Sequence, residues 1–243
     1  MREIEEFVDE RQKTWCIHCS QQLADVETNL DHVPSKCLLK KPRPDNLPKV
    51  WVCKDCNLSF SRDEEYVAAL LSSVISGSTS PEQQVHEVAQ KILMRSKKLR
   101  SRIEAGKTEQ LSLIGESELL WEPEFERLKR VVVKNSRGHA FFEWGEPMLE
   151  EPSSVWIAPL EALSEEQRNT FDGIVPSPVV PEGGRQMKTF LYSGLNMTGN
   201  WVNVQDEIYR YAVFQANGLV VRTVIWEYLA AEVCWSIKCP MPL

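Results

Sequence analysis

Two cysteine pairs near the N-terminus constrain the fold of this chain more than any other feature. Each pair has the spacing Cys-X-X-Cys, at Cys16 and Cys19 and again at Cys53 and Cys56, with residues 20–52 between the pairs. A CxxC turn places two thiolates side by side, and two such turns complete the tetrahedral four-sulfur site that zinc prefers. The spacing therefore predicts a structural zinc ion that holds the intervening segment in place. His18, inside the first pair, is expected to be an exposed spacer.

Composition and charge narrow the class of protein. Residues 1–6 contain no apolar signal region, and no apolar run approaches the ~20 residues that span a bilayer. We therefore expect a cytoplasmic protein with no membrane segment, whose cysteines bind metal instead of forming disulfides. The formal net charge of −7 argues against a general nucleic-acid coat protein. It still permits an enzyme with a local basic face, because phosphate contacts act within about a Debye length.

A carboxylate and an imidazole stand next to each other between the cysteine pairs, in the segment NLDHVP at 29–34. On an extended backbone the side chains of Asp31 and His32 would point to opposite faces. Asp31 could bind a hard divalent cation through oxygen, and His32 could take a proton from water. Phosphodiester hydrolysis needs both a nucleophilic water and a cation beside the phosphate. Asn57, directly after Cys56, offers a neutral oxygen ligand.

The order of these motifs resembles the HNH endonuclease family, whose fold is a β-hairpin and a helix that clamp one metal ion. The matching segments are CIHC at 16–19, LDHVP at 30–34, DNL at 45–47 and CKDCN at 53–57. The chain also resembles a set of bacterial HNH-domain proteins that carry a DHVPxK…PDNL…CxxCN…DEEY string. The motif match covers about a quarter of the chain.

The resemblance implies a role for each of four residues. His32 would be the general base, and Asp31 would be a ligand of a catalytic Mg²⁺ or Mn²⁺ ion. Asn46 would be the middle asparagine of the family, which orients the loop and the histidine by hydrogen bonds. Asn57 takes the last metal-ligand position, where many members have histidine; asparagine suits magnesium or manganese better than softer ions. The implied activity is hydrolysis of phosphodiester bonds in nucleic acid, with DNA expected before RNA.

Hydrophobic periodicity predicts an α+β fold in three parts. Residues 10–76 would form a zinc-stapled ββα-metal module of treble-clef-like shape, with a helix over 63–75. Residues 80–145 would form a helical region, with a capped helix start at Ser80 and an apolar stripe that runs to Ile103. Residues 146–243 would form an antiparallel β-rich region of unknown role, with a hairpin turn at Asn217-Gly218.

Basic residues near the predicted site and in the helical region are candidates for binding nucleic acid. Between Lys91 and Lys107 there are seven basic residues and one acidic residue, Glu104. On a helix they would form a basic face suited to phosphates, although a solvated surface or an acidic partner explains it equally well. The candidates are Lys36, Lys54, Arg62, Lys97, Lys98 and Arg100.

Three functions are compatible with the sequence. The first is the metal-dependent endonuclease. The second is a catalytically weak zinc-stapled module that binds nucleic acid or a protein, which the missing third histidine and the acidic net charge favour. The third is a toxin or antiviral defence effector, a nuclease whose C-terminal region acts as a sensor. In that case the C-terminal region would contact a protein partner or a second copy of the chain.

Overall fold

The computed structural model describes residues 10–111, 117–173, 196–198 and 201–236. Helices and antiparallel sheets occur together, which confirms the predicted α+β class. The helices are α1 (Lys54–Ser76), α2 (Glu87–Arg95), α3 (Lys97–Ala105), α4 (Phe125–Trp144) and α5 (Glu165–Asp172). The strands are β1 (Thr28–His32), β2 (Lys49–Cys53), β3 (Lys107–Leu111), β4 (Ser117–Trp121), β5 (Ser154–Pro159), β6 (Asn196–Thr198), β7 (Trp201–Gln205), β8 (Tyr209–Gln215), β9 (Gly218–Ile225) and β10 (Leu229–Ser236).

The segment between the cysteine pairs forms a two-stranded sheet that leads directly into α1. Strands β1 and β2 are antiparallel, and His32 lies opposite Lys49. Helix α1 begins at Lys54, nine residues before the predicted start at 63. The Sγ atom of Cys53 caps this end by accepting a hydrogen bond from the backbone of Cys56. None of residues 54–62 is buried, so the first turns carry no apolar period and periodicity could not detect them.

The predicted apolar stripe beyond Ser80 is divided between two helices. Residues Pro81–Gln83 form only a 3₁₀ turn, and α2 begins later, at Glu87. The predicted start was wrong because the hydroxyl of Ser80 donates to the carboxylate of Glu82 at 2.7 Å and caps no backbone group. At Ser96 the chain turns into α3, and there the serine side chain does cap the helix.

The C-terminal region contains an antiparallel sheet, as predicted, and the described part of this sheet has six strands. The strand order is β5-β10-β9-β8-β7-β6, so five strands form a meander and β5 lies at one edge. Asn217 and Gly218 have positive φ angles of 56° and 139° and form the predicted turn between β8 and β9. Residues 174–195, 199–200 and 237–243 of the predicted β-rich region lie outside the described residues.

Helix α4 lies between the N-terminal segment, which comprises residues 10–53, and the large sheet. It packs against α1 and also contacts β8, β9 and β10. The largest hydrophobic core combines side chains from residues 38–71, from α2, α3 and α4 and from the large sheet, including Leu38, Tyr66, Ile92, Val131 and Val221. Within the described residues, none of the helices combines the length and apolarity that crossing a bilayer requires.

Candidate functional site

The four cysteines of the two pairs come together. Their Sγ atoms all lie within 4.8 Å of one another, and those of Cys19 and Cys53 are 3.6 Å apart. A tetrahedral zinc ion with bonds of about 2.3 Å separates its sulfur ligands by roughly 3.8 Å. The backbone of Cys53 also donates to the sulfur of Cys16 at 3.5 Å. The cluster could therefore hold a structural metal ion such as zinc, at the junction of the first pair, β2 and α1.

Asp31 faces the interior and is bonded by a lysine that lies 103 positions later in the sequence. The Nζ atom of Lys134, on α4, lies 3.0 Å from Oδ1 and 2.8 Å from Oδ2 of Asp31. The same ammonium donates to Glu64 and to the hydroxyl of Ser35, each at 2.8 Å. Burial opposes charge on Lys134, but the carboxylates of Asp31 and Glu64 raise its pKa above the ordinary value. A charged, fully bonded lysine thus sits beside the predicted metal ligand.

The side chain of His18 is buried, contrary to the expectation of an exposed spacer. Its side chain is 3% exposed, and its ring meets the edge of Phe60 with centroids 4.9 Å apart. The backbone carbonyl of His18 accepts a hydrogen bond from Arg137, on α4. This bond joins the first CxxC turn to α4. Nε2 lies 3.9 Å from Oδ2 of Asp31, too far for a hydrogen bond. Among the described residues, neither ring nitrogen of His18 has a hydrogen-bond partner.

His32 lies on the opposite side of β1 from Asp31, as the strand geometry predicted, and lines a cleft of about 760 Å³. Lys49 is its cross-strand neighbour. Partial burial and the positive charges of Lys36 and Lys49 lower the pKa of His32 below its ordinary value. The basic residues that line this cleft are Lys36, Lys41, Arg43 and Lys49, and Asp45 is the acidic residue among them. The strand thus brings His32 to a group of basic side chains and separates it from Asp31.

The two candidate asparagines are both half-buried. Asn46 lies between Asp45 and Leu47, two residues of the cleft wall. No hydrogen bond joins the side chain of Asn46 to His32 in the part of the chain that is described. Asn57 lies in the first turns of α1, where its backbone carbonyl accepts a hydrogen bond from Ser61 at 3.4 Å.

The six basic residues predicted as candidates for binding nucleic acid lie in different environments. Lys36 lines the His32 cleft, whereas Lys54 is paired with Glu27 at 2.6 Å. Arg62 is exposed, and its backbone carbonyl accepts a hydrogen bond from Arg127. The remaining three lie on α3 and are exposed, and they form no ion pair with the described residues. These three are Lys97, Lys98 and Arg100.

Sequence reasoning missed Lys134, and it missed the burial of His18. The signal for Lys134 was present, since residues 134–139 interrupt an otherwise apolar stretch of α4 with five polar side chains and one glycine. Such a run in a helix indicates that the helix is enclosed and that its polar groups have specific partners. The buried polar residues Lys134, Asn135 and Arg137 all contact the N-terminal segment.

The resemblance implies a second, catalytic cation at Asp31, and the environment of this carboxylate suits positive charge. The ammonium of Lys134 already stands there in the role of a cation. Among the described histidine, cysteine and acidic residues, the four cysteines are the only group of three or more close enough to share one ion.

A scan against protein-family models, a search of curated proteins and a search of solved structures each found no significant match to this chain.

Proposed function

We propose that this chain is a zinc-stapled, HNH-like endonuclease that hydrolyses phosphodiester bonds in nucleic acid, with DNA as the expected substrate. The observation that carries the proposal is the cleft at the end of β1. There His32 is surrounded by four basic side chains, an environment suited to a phosphodiester and an imidazole able to accept a proton. The adjacent Asp31 and the cysteine cluster complete the motif order of that family.

Each part of the site has a distinct task in this proposal. The basic residues of the cleft hold the phosphates on either side of the scissile bond. His32 removes a proton from the attacking water, and it is neutral at pH 7 because partial burial and the charges of Lys36 and Lys49 lower its pKa. A divalent cation held by Asp31 and Asn57 would offset the charge that develops on the phosphate. The zinc ion would hold the end of β2 in place and therefore the register of β1 beside it.

A second candidate is a module that binds nucleic acid without cleaving it. The observation that favours it is the ion pair between Lys134 and Asp31, which already neutralises the carboxylate that would bind the catalytic cation. Asp31 and His32 also point to opposite sides of the same strand. A binding module would use the basic cleft in the same way and would need neither catalytic group.

Cleavage of supercoiled plasmid by purified, zinc-loaded protein separates the two candidates. We expect nicking in Mn²⁺ or Mg²⁺ by the wild type and none above background by His32→Ala. Plasmid binding without nicking in either ion would favour the binding module.

The binding surface can be located with two double variants that each remove two lysines. In the proposal, Lys36→Ala/Lys49→Ala weakens DNA binding and reduces its salt dependence, because these lysines contact phosphate. The matched variant Lys97→Ala/Lys98→Ala, on exposed α3, changes binding less. The reverse order of effects would place the nucleic acid on α3.

A further inference from the structure

The outer face of the β1–β2 sheet exposes a tryptophan and a leucine beside the His32 cleft. Trp51 is 48% exposed and Leu30 is 37% exposed, and they lie opposite each other in the two strands. Val50 and Val52, the chain neighbours of Trp51, are buried on the other face of the sheet, in a core shared with the first CxxC turn. The hairpin therefore buries its own apolar face, and its core does not need an indole at position 51.

The exposed pair lies on the same face as part of the basic cleft. Side chains two positions apart on a strand point the same way, so His32 shares the face of Leu30, and Lys49 shares the face of Trp51. His32 and Lys49 are themselves opposite each other in the sheet. Lys49 lines the cleft and forms no ion pair with the described residues. Asp31 is the one acidic residue of the two strands, and it points to the opposite side. The face thus combines an aromatic ring with positive charge.

An unpaired nucleotide is the ligand that this combination fits best. A base can stack on an aromatic side chain whatever its sequence, because every base has a π-face. Inside a duplex the neighbouring base pairs cover both faces, so a base must leave the stack before it can lie flat on Trp51. Two residues along a strand span about 6.8 Å, a distance that the long side chain of Lys49 can bridge to reach the phosphate of the same nucleotide.

A second copy of the chain fits this face less well. A symmetric contact between two copies places the same patch on both sides. The lysines of one cleft would then approach those of the other, and like charges across an interface disfavour association. A nucleic-acid strand instead brings negative charge to the lysines and an apolar surface to the indole.

We propose that Trp51 stacks on an unpaired base of a DNA strand, with the adjacent phosphate held by Lys49 at the entrance of the His32 cleft. Leu30 would extend the apolar surface on which the base lies. This inference rests on the proposed function, because it uses the same cleft, and it names the form of nucleic acid that the cleft prefers. A fully paired duplex would bind only after one base leaves the stack, and therefore more weakly.

Fluorescence anisotropy of labelled DNA tests the inference separately from cleavage, with the zinc-loaded full chain at one salt concentration and no added Mg²⁺ or Mn²⁺. Two duplexes are compared, one fully paired and one with a short central mismatch, so that the number of phosphates is the same. The wild type is expected to bind the mismatched duplex at least about fivefold more tightly, the lower end of the effect of one base stacked on an aromatic side chain.

Three variants with wild-type circular dichroism and zinc content identify the residue responsible. Trp51→Ala is expected to lose the preference for the mismatch, and Trp51→Phe to keep most of it, because phenylalanine retains a ring for stacking. Phe125→Ala is the matched control. Phe125 is an aromatic residue that is 46% exposed at the start of α4, and its loss should leave the preference unchanged.

The outcomes separate this inference from the proposed nuclease. Equal affinity for the two duplexes, no binding to either, or a preference that persists in Trp51→Ala would overturn the inference even if the protein nicks plasmid. A preference that depends on Trp51 in a protein that cleaves nothing would support the inference and reject the nuclease. Sedimentation of the wild type as a dimer and of Trp51→Ala as a monomer would assign the face to a second copy of the chain and overturn the inference.

Discussion

Replacing Lys134 with methionine tests whether its ammonium holds the N-terminal segment against α4. The side chain is 1% exposed and bonds Asp31, Glu64 and Ser35 at 2.8–3.0 Å. Methionine fills a similar volume but leaves two carboxylates without their counter-charge. Removing one partner of a buried ion pair costs about 3–5 kcal/mol. The lower part of this range is expected, because Glu64 is 19% exposed and can be hydrated when Lys134 is lost.

Urea unfolding followed by circular dichroism measures this loss. Lys129→Met is the matched control, since Lys129 lies on the same helix and has no ion pair with the described residues; we expect it to stay within about 0.5 kcal/mol of the wild type. Asp31→Asn should recover part of the loss when it is added to Lys134→Met, which a double-mutant cycle detects as a coupling above about 0.5 kcal/mol. Additive effects, or a cost no larger than that of Lys129→Met, would refute the reasoning.

Three further predictions concern packing, pH and zinc. Gly138→Ala should destabilise the fold by about 1 kcal/mol in urea unfolding, because a Cβ atom there would lie 2.6 Å from a methyl group of Val33. The loss of stability should be smaller when Gly138→Ala is made in a Val33→Ala background. Burial lowers the pKa of His139 to about 3, so the unfolded chain binds more protons than the folded chain below pH 6.5 and stability falls as the pH drops. Between pH 7 and pH 5 the wild type should lose about 2 kcal/mol more than His139→Gln, and equal losses would contradict this. Cys53→Ser should lower the zinc content well below one ion per chain and speed amide hydrogen exchange in β1 and β2. Unchanged exchange would mean that the metal does not stabilise these strands.

The local elements of the fold followed from short-range patterns. The CxxC spacing predicted the cysteine cluster because each turn fixes two sulfurs by itself. The Asn217-Gly218 turn was predictable because positive φ angles at both positions favour these residue types. The start of α1 was not predictable, since its cap is the sulfur of Cys53 and its first turns are exposed.

The surroundings of the candidate site depend on residues distant in sequence. Lys134 reaches Asp31 across 103 positions, and no local pattern encodes that contact. The side chain of His18 packs against Phe60, and its carbonyl is bonded by Arg137, two residues far away in the sequence. The sequence thus indicated candidate residues for the site, while their packing partners could be found only from the tertiary structure.

The most direct test of the proposed nuclease is single-turnover cleavage of a labelled duplex, with DNA affinity measured in parallel. If His32 is the general base, His32→Ala should lower the cleavage rate by about 10²–10⁴-fold while its Kd for DNA stays within about threefold of the wild type. Cleavage by His32→Ala at the wild-type rate, with zinc content and affinity unchanged, would contradict the account.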